Sequence, residues 1–147
     1  MEKYHDKRII IDVSDIFEEA DAKLLKGLYE QYKNIKIIFN FENKDFLLRA
    51  EKYELPHFFT NAVTTIDQLH GLLKYHPTDM YICEELGFSL DKISKLLHDN
   101  DILVRVYPNI CQSSFSETLS IKTFFIRPED IKFYDDFVDV FELITDP

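Results

Sequence analysis

The sequence predicts an α/β fold: a mainly parallel sheet built from repeated β-α units, curved into a shortened or partial TIM-like (β/α) barrel. Three observations predict it. Short β-branched runs alternate with segments of helical period about every 20–28 residues, with roughly the spacing of β-α units. No composition break or linker interrupts the alternation, so residues 1–147 read as a single domain. Within the strands, alternate positions separate one apolar face from one polar face.

The elements follow in order. "RIIIDV" (8–13) is short and β-branched, and reads as the first strand. Residues 14–34 form a helix that Ser14 or Asp15 can cap, with Leu24, Leu25, Leu28 and Tyr32 on its apolar face. "IKIIFNF" (35–41) is the second strand, and residues 43–56 a helix stopped near Pro56. "HFFTNAV" (57–63) is a short third strand. Residues 64–76 are helical, with Ile66, Leu69, Leu72 and Leu73 at helical spacing. "DMYICEE" (79–85) is the fourth strand. Residues 89–101 form a helix capped by Ser89, burying Leu90, Ile93, Leu96 and Leu97. "ILVRVYPN" (102–109) is the fifth strand, followed by a Ser-rich loop at 110–120. "IKTFFIR" (121–127) is the sixth. A helix over 128–137 opens with Pro128, Glu129 and Asp130, the residue types that suit a first turn. "VDVFEL" (138–143) closes the chain as a seventh strand.

The face pattern separates two architectures. Ile9/Ile11/Val13, Ile35/Ile37/Phe39, Val104/Val106 and Phe124/Ile126 make one face uniformly apolar, suited to lie under helices. The other face carries Arg8/Ile10/Asp12, Lys36/Ile38/Asn40, Arg105/Tyr107/Asn109 and Thr123/Phe125/Arg127, polar at the ends and mostly filled between. A barrel interior is layered in this way. The alternative, an open doubly wound three-layer sheet, is more often apolar on both faces. "LHGLLKYHPTDMYICEELGFSLDKI" and "VRVYPNICQ" resemble in rhythm a barrel unit of peptidase-like TIM-barrel proteins. That resemblance covers about a third of the chain and implies a fold only, since no catalytic motif accompanies it.

Composition narrows the function classes. The chain is 46% apolar, with 13 Phe and 8 Tyr, which excludes a disordered tail. The formal charge of −10, from 27 acids against 17 Lys and Arg, opposes binding to nucleic acid or an anionic membrane. Charge alone also allows an acidic mimic of nucleic acid, provided the acids line one face. Cys83 and Cys111 form no C-x-x-C motif and no disulfide framework. The first residues lack the apolar core of a signal peptide, and no run approaches a membrane span. A soluble, cytoplasmic protein is the expectation.

In α/β proteins, sites gather at the carboxyl ends of strands. The ligand-binding candidates there are Asp12, Asn40, Glu84, Asn109, Arg127 and Glu142, with Ser14, Asp15, Glu42, Asn61, Glu85, Cys111 and Gln112 nearby. The ordinary structural reading competes for each one, because strand ends leave the core and cap helices. Metal binding is not expected. The five His residues include no i,i+4 pair, and nothing requires Asp12 with Glu84 or Glu142 to hold Mg²⁺. With 3 Gly and no phosphate-cradling loop, no nucleotide cofactor is expected either. Cys111 follows a strand but lacks the Gly of a nucleophile elbow and a matched His. Arg127 ends its strand facing Asp12, Glu84 or Glu142, which reads as a structural ion pair before it reads as a ligand fork. The sequence therefore points to a non-enzymatic interaction or accessory module. A half-barrel leaves two strand edges and an aromatic-rich surface, which a homodimer or protein partner would cover. The alternative is a small lyase or hydrolase using strand-end carboxylates on a small polar ligand.

Overall fold

The computed structural model describes residues 7–82, 90–106 and 128–142. Six strands and four α-helices alternate through these residues: β1 (Ile9–Asp12), α1 (Glu19–Gln31), β2 (Ile35–Phe39), α2 (Lys44–Lys52), β3 (His57–Phe59), α3 (Ile66–Leu73), β4 (Asp79–Tyr81), α4 (Leu90–His98), β5 (Leu103–Val106) and β6 (Val140–Phe141). A 3₁₀ helix, Pro128–Phe133, precedes β6. The expected sixth strand (121–127), the Ser-rich loop, Glu84, Asn109, Arg127 and both cysteines lie outside the described residues.

The strands form two parallel three-stranded sheets, ordered β1-β2-β3 and β4-β5-β6. The sheets do not close into a barrel. They meet edge to edge at β3 and β4: Thr78 N–H donates to the His57 carbonyl at 2.7 Å, Val63 N–H donates to the Tyr81 carbonyl at 2.7 Å, and Val63 bridges Ile82 in parallel. A doubly wound sheet reverses its strand order at a switch point. Among the described residues neither sheet does so.

The apolar strand face lies under the helices. Val13, Ile37, Phe39, Phe59, Met80, Ile82, Val104 and Val106 share one core with Ala22 and Leu25 of α1, Leu47 and Ala50 of α2, Leu69 and Leu72 of α3, and Ile93 and Leu97 of α4. Burying this stripe is the main favourable term in assembling such a layer. Leu24, which the helical spacing puts on the apolar face of α1, is 64% exposed. Ala22, Leu25 and Leu28 complete a stripe of period 3–4, and Leu24 falls outside it.

Helix starts are set by local hydrogen bonds. Ser14 N–H donates to Asp12 Oδ1 at 2.8 Å, closing a turn there instead of capping a helix. The following residues carry Phe17 into the core, where it packs edge-on against Phe46 with ring centroids 5.5 Å apart. The helix then begins at Glu19, and Glu18 N–H donates to Asp21 Oδ2 at 2.8 Å. Thr65 and Gln68 form a reciprocal capping box on α3, with Gln68 N–H donating to Thr65 Oγ1 at 3.2 Å. Helices α2, α3 and α4 are each followed by a left-handed residue before the next strand: Glu54, His76 and Asp101. This is the usual chain reversal at a helix end, made here without glycine.

The segment 128–137 is shorter in its helical part than the sequence pattern predicts. It is 3₁₀ to Phe133 and continues in single turns, Tyr134 N–H to Ile131 O and Phe137 N–H to Tyr134 O, both 2.8 Å. The buried Ser94 hydroxyl donates to the Phe137 carbonyl at 2.7 Å, and Val138 enters the core. These ties hold the chain close to α4 and deliver it to β6.

Candidate functional site

The polar strand face carries the densest chemistry. Lys36 of β2, Phe58 of β3, Asp79 and Tyr81 of β4, Arg105 of β5 and Glu142 just beyond β6 meet there. Register accounts for the meeting. Tyr81 and Arg105 are direct partners across the β4-β5 ladder, so their side chains stand side by side on one face. Arg105 also partners Val140, which puts Glu142 one pleat further along the same face. Asp79 sits one pleat before Tyr81, and the β3-β4 junction brings Lys36 of the other sheet within reach.

Asp79 is 0% exposed and Arg105 3%. A buried carboxylate and guanidinium need partners, and both have them. Asp79 Oδ2 accepts from Lys36 Nζ at 2.6 Å and from Thr78 Oγ1 at 2.5 Å. Asp79 Oδ1 accepts from Arg105 Nε at 3.1 Å. Arg105 Nη2 lies 3.1 Å from the same oxygen without the alignment of a hydrogen bond. Arg105 Nη1 donates to Glu142 Oε2 at 3.3 Å, and the Tyr81 hydroxyl donates to that same oxygen. The guanidinium carbon lies 4.5 Å from the Phe58 ring centre and 5.6 Å from that of Tyr81, a cation–π arrangement.

The environment sets the ionisation of Asp79. Burial is the largest single influence and pushes its pKa up. Hydrogen bonds from Lys36 and Thr78, with the charges of Arg105 and Lys36, together outweigh it and leave the carboxyl below its usual range. Two cations and two carboxylates thus balance in one cluster. Because Lys36 belongs to the first sheet and Asp79 to the second, the ion pair also fastens the sheets together. The cluster can hold charge and position strands. Its buried carboxylate, Asp79, is already fully engaged.

The strand-end candidates fall elsewhere. Asp12 Oδ1 accepts from Ser14 N–H, and Asn40 Oδ1 accepts from Glu42 N–H at 2.8 Å, each closing a local turn. Asn61 Oδ1 accepts from Phe41 N–H at 3.2 Å. Glu142 alone of the described candidates joins the cluster. Among the described residues, no group of three His, Cys, Asp or Glu side chains is placed to hold a metal ion. No known protein family, curated protein or solved structure matches this chain.

Lys36, Asp79 and Arg105 are not among the strand-end candidates that the sequence offers. The signal for two of them was present: alternation puts Lys36 and Arg105 on the polar face. Asp79 opens a strand and reads there as a boundary residue. Only the pairing of the two sheets shows it to be buried.

Proposed function

We propose that this chain is an acidic, non-enzymatic protein-interaction or accessory module that works as an oligomer. In this reading the two sheets form one wall of a partial (β/α) barrel. The observation that carries it is the contrast between the two parts of the polar face. At the centre, charged groups pair with one another. At the β1 edge the face stays open: Ile10 is 46% exposed, beside half-buried Lys36 and Ile38. Among the described residues β1 pairs only with β2, and β6 only with β5, and within that set each outer strand is an edge of the kind another chain can extend. The lyase or hydrolase alternative needs a free carboxylate pair at the strand ends. Two of the described strand-end carboxylates are engaged, Asp12 with Ser14 and Glu142 with Arg105 and Tyr81.

Light scattering across a micromolar dilution series tests the reading. A mass above the 17.5 kDa of one chain is expected, falling towards that value in Ile10→Lys. A monomer at every concentration overturns the oligomer.

A further inference from the structure

On the helix side of the sheet, below the amino end of β3, lies a pocket of about 360 Å³. His57 forms part of its floor, Tyr29 and Tyr75 contribute to its walls, and Glu51, Glu54 and His76 stand among its exposed lining residues. It is remote in kind from the Arg105 cluster, because His57 and Phe58 point to opposite faces of β3. His57 stacks on Phe39 with ring centres 5.6 Å apart, so its side chain belongs to the helix-side layer.

The imidazole is the unusual group. His57 is 2% exposed. Its Nδ1 lies 2.8 Å from the Leu55 carbonyl, an acceptor, so Nδ1 carries the hydrogen. In the neutral ring Nε2 is then a bare acceptor. Among the described residues Nε2 has no hydrogen-bond partner. Burial, the largest influence, lowers the pKa of His57 and keeps the ring neutral at pH 7. A buried acceptor without a donor is rare in native proteins and calls for an explanation.

The rest of the lining says what kind of donor fits. Glu51 has no ion-pair partner among the described residues, while Glu54 holds Lys26 at 3.2 Å. The tyrosine rings favour a flat apolar body, and each already faces a lysine of the chain, Lys33 Nζ at 4.2 Å from the Tyr29 ring centre and Lys74 Nζ at 4.8 Å from that of Tyr75, so the ligand's charge is met by Glu51 rather than by the rings. We infer that this pocket binds a small organic cation: a flat unsaturated body bearing charged N–H donors, one directed at His57 Nε2 and the charge balanced by Glu51. His57 Nε2 is shielded from solvent, so the ligand reaches it through a side-chain adjustment among the lining residues, a common change on binding. The inference is independent of the oligomer reading, and it puts a site at the opposite end of the strands from the one α/β folds usually use.

Benzamidinium is a suitable probe for the full chain, followed by ¹⁵N NMR of the histidine rings and by ¹H shifts of Tyr29 and Tyr75. Saturable binding should move the His57 Nε2 resonance. Phenyltrimethylammonium, an aromatic cation without N–H, should bind about tenfold more weakly, the effect of roughly one lost hydrogen bond. Benzoate should not bind. His57→Phe keeps the ring and should weaken benzamidinium about tenfold. Glu51→Gln alters only an exposed side chain, so it folds whatever His57→Phe does, and should weaken binding several-fold. Benzoate binding as well as benzamidinium, no saturable binding of benzamidinium, or unchanged affinity in Glu51→Gln would overturn the inference.

Discussion

Replacing Arg105 with Met tests whether the buried cluster holds the two sheets together. Methionine keeps much of the apolar stem against Phe58 and Tyr81 and deletes the charge. At 3.1 Å and an effective dielectric of about 20, the Arg105–Asp79 attraction is about 5 kcal/mol before desolvation is counted. The bond to Glu142 adds little, because that carboxylate is half in water. The variant leaves Asp79 fully buried with Lys36 and Thr78 as its remaining partners. Breaking a buried pair from one side typically costs about 3–5 kcal/mol, a large share of the roughly 5–15 kcal/mol that holds a domain. Lys36→Met should cost less, about 1–3 kcal/mol, since Arg105 still neutralises Asp79 and Lys36 is 20% exposed. The double variant Arg105→Met/Asp79→Leu removes both fully buried charges but leaves Lys36, 20% exposed, without its carboxylate, and should recover part of the loss. Urea unfolding followed by far-UV circular dichroism and tyrosine fluorescence suits a chain with 8 Tyr and no Trp. A loss below about 1 kcal/mol in Arg105→Met, or a double variant less stable than Arg105→Met alone, would refute the reasoning.

Two further outcomes are expected. Thr65→Ala removes the acceptor that caps Gln68 N–H and should destabilise the protein by about 1 kcal/mol in the same unfolding assay, with Thr65→Ser close to wild type. Acid should weaken the fold in two stages. The folded pKa of His57 lies below its ordinary 6.5, so the unfolded chain takes up a proton first and stability declines as the pH drops from 6.5 towards the lowered value. The Asp79 carboxyl also lies below its ordinary 3.8, so its contribution is present above that pH and is lost as the pH falls through the folded value. Thermal melts from pH 8 to pH 2 measure both stages. A His57→Phe variant that keeps an unchanged slope below pH 6.5 would show that His57 is not the first group.

The alternation of strand-length and helix-length segments was legible in the sequence, because hydrophobic periodicity depends only on local geometry. It placed the six described strands and the four α-helices, and it separated the apolar strand face, where Ile37, Phe39 and Val104 pack under the helices, from the polar one. Boundaries were less legible. Ser14 and Asp15 look like caps, but burying Phe17 is worth more than an early start, so α1 begins at Glu19. The candidate site was legible only in halves. Alternation alone puts Lys36 and Arg105 on one face, and it cannot say that a carboxylate 43 residues from Lys36 will lie between them. That meeting depends on how β3 lies beside β4 and on the register of β5, which are long-range choices made by the packing of the whole sheet. Sequence also ranked strand-end polar residues above buried ones, yet Asp12 and Asn40 spend their side chains on turns. The buried charges of Asp79 and Arg105 survive because tertiary structure supplies each with partners at under 3.5 Å, a condition no single segment can meet alone.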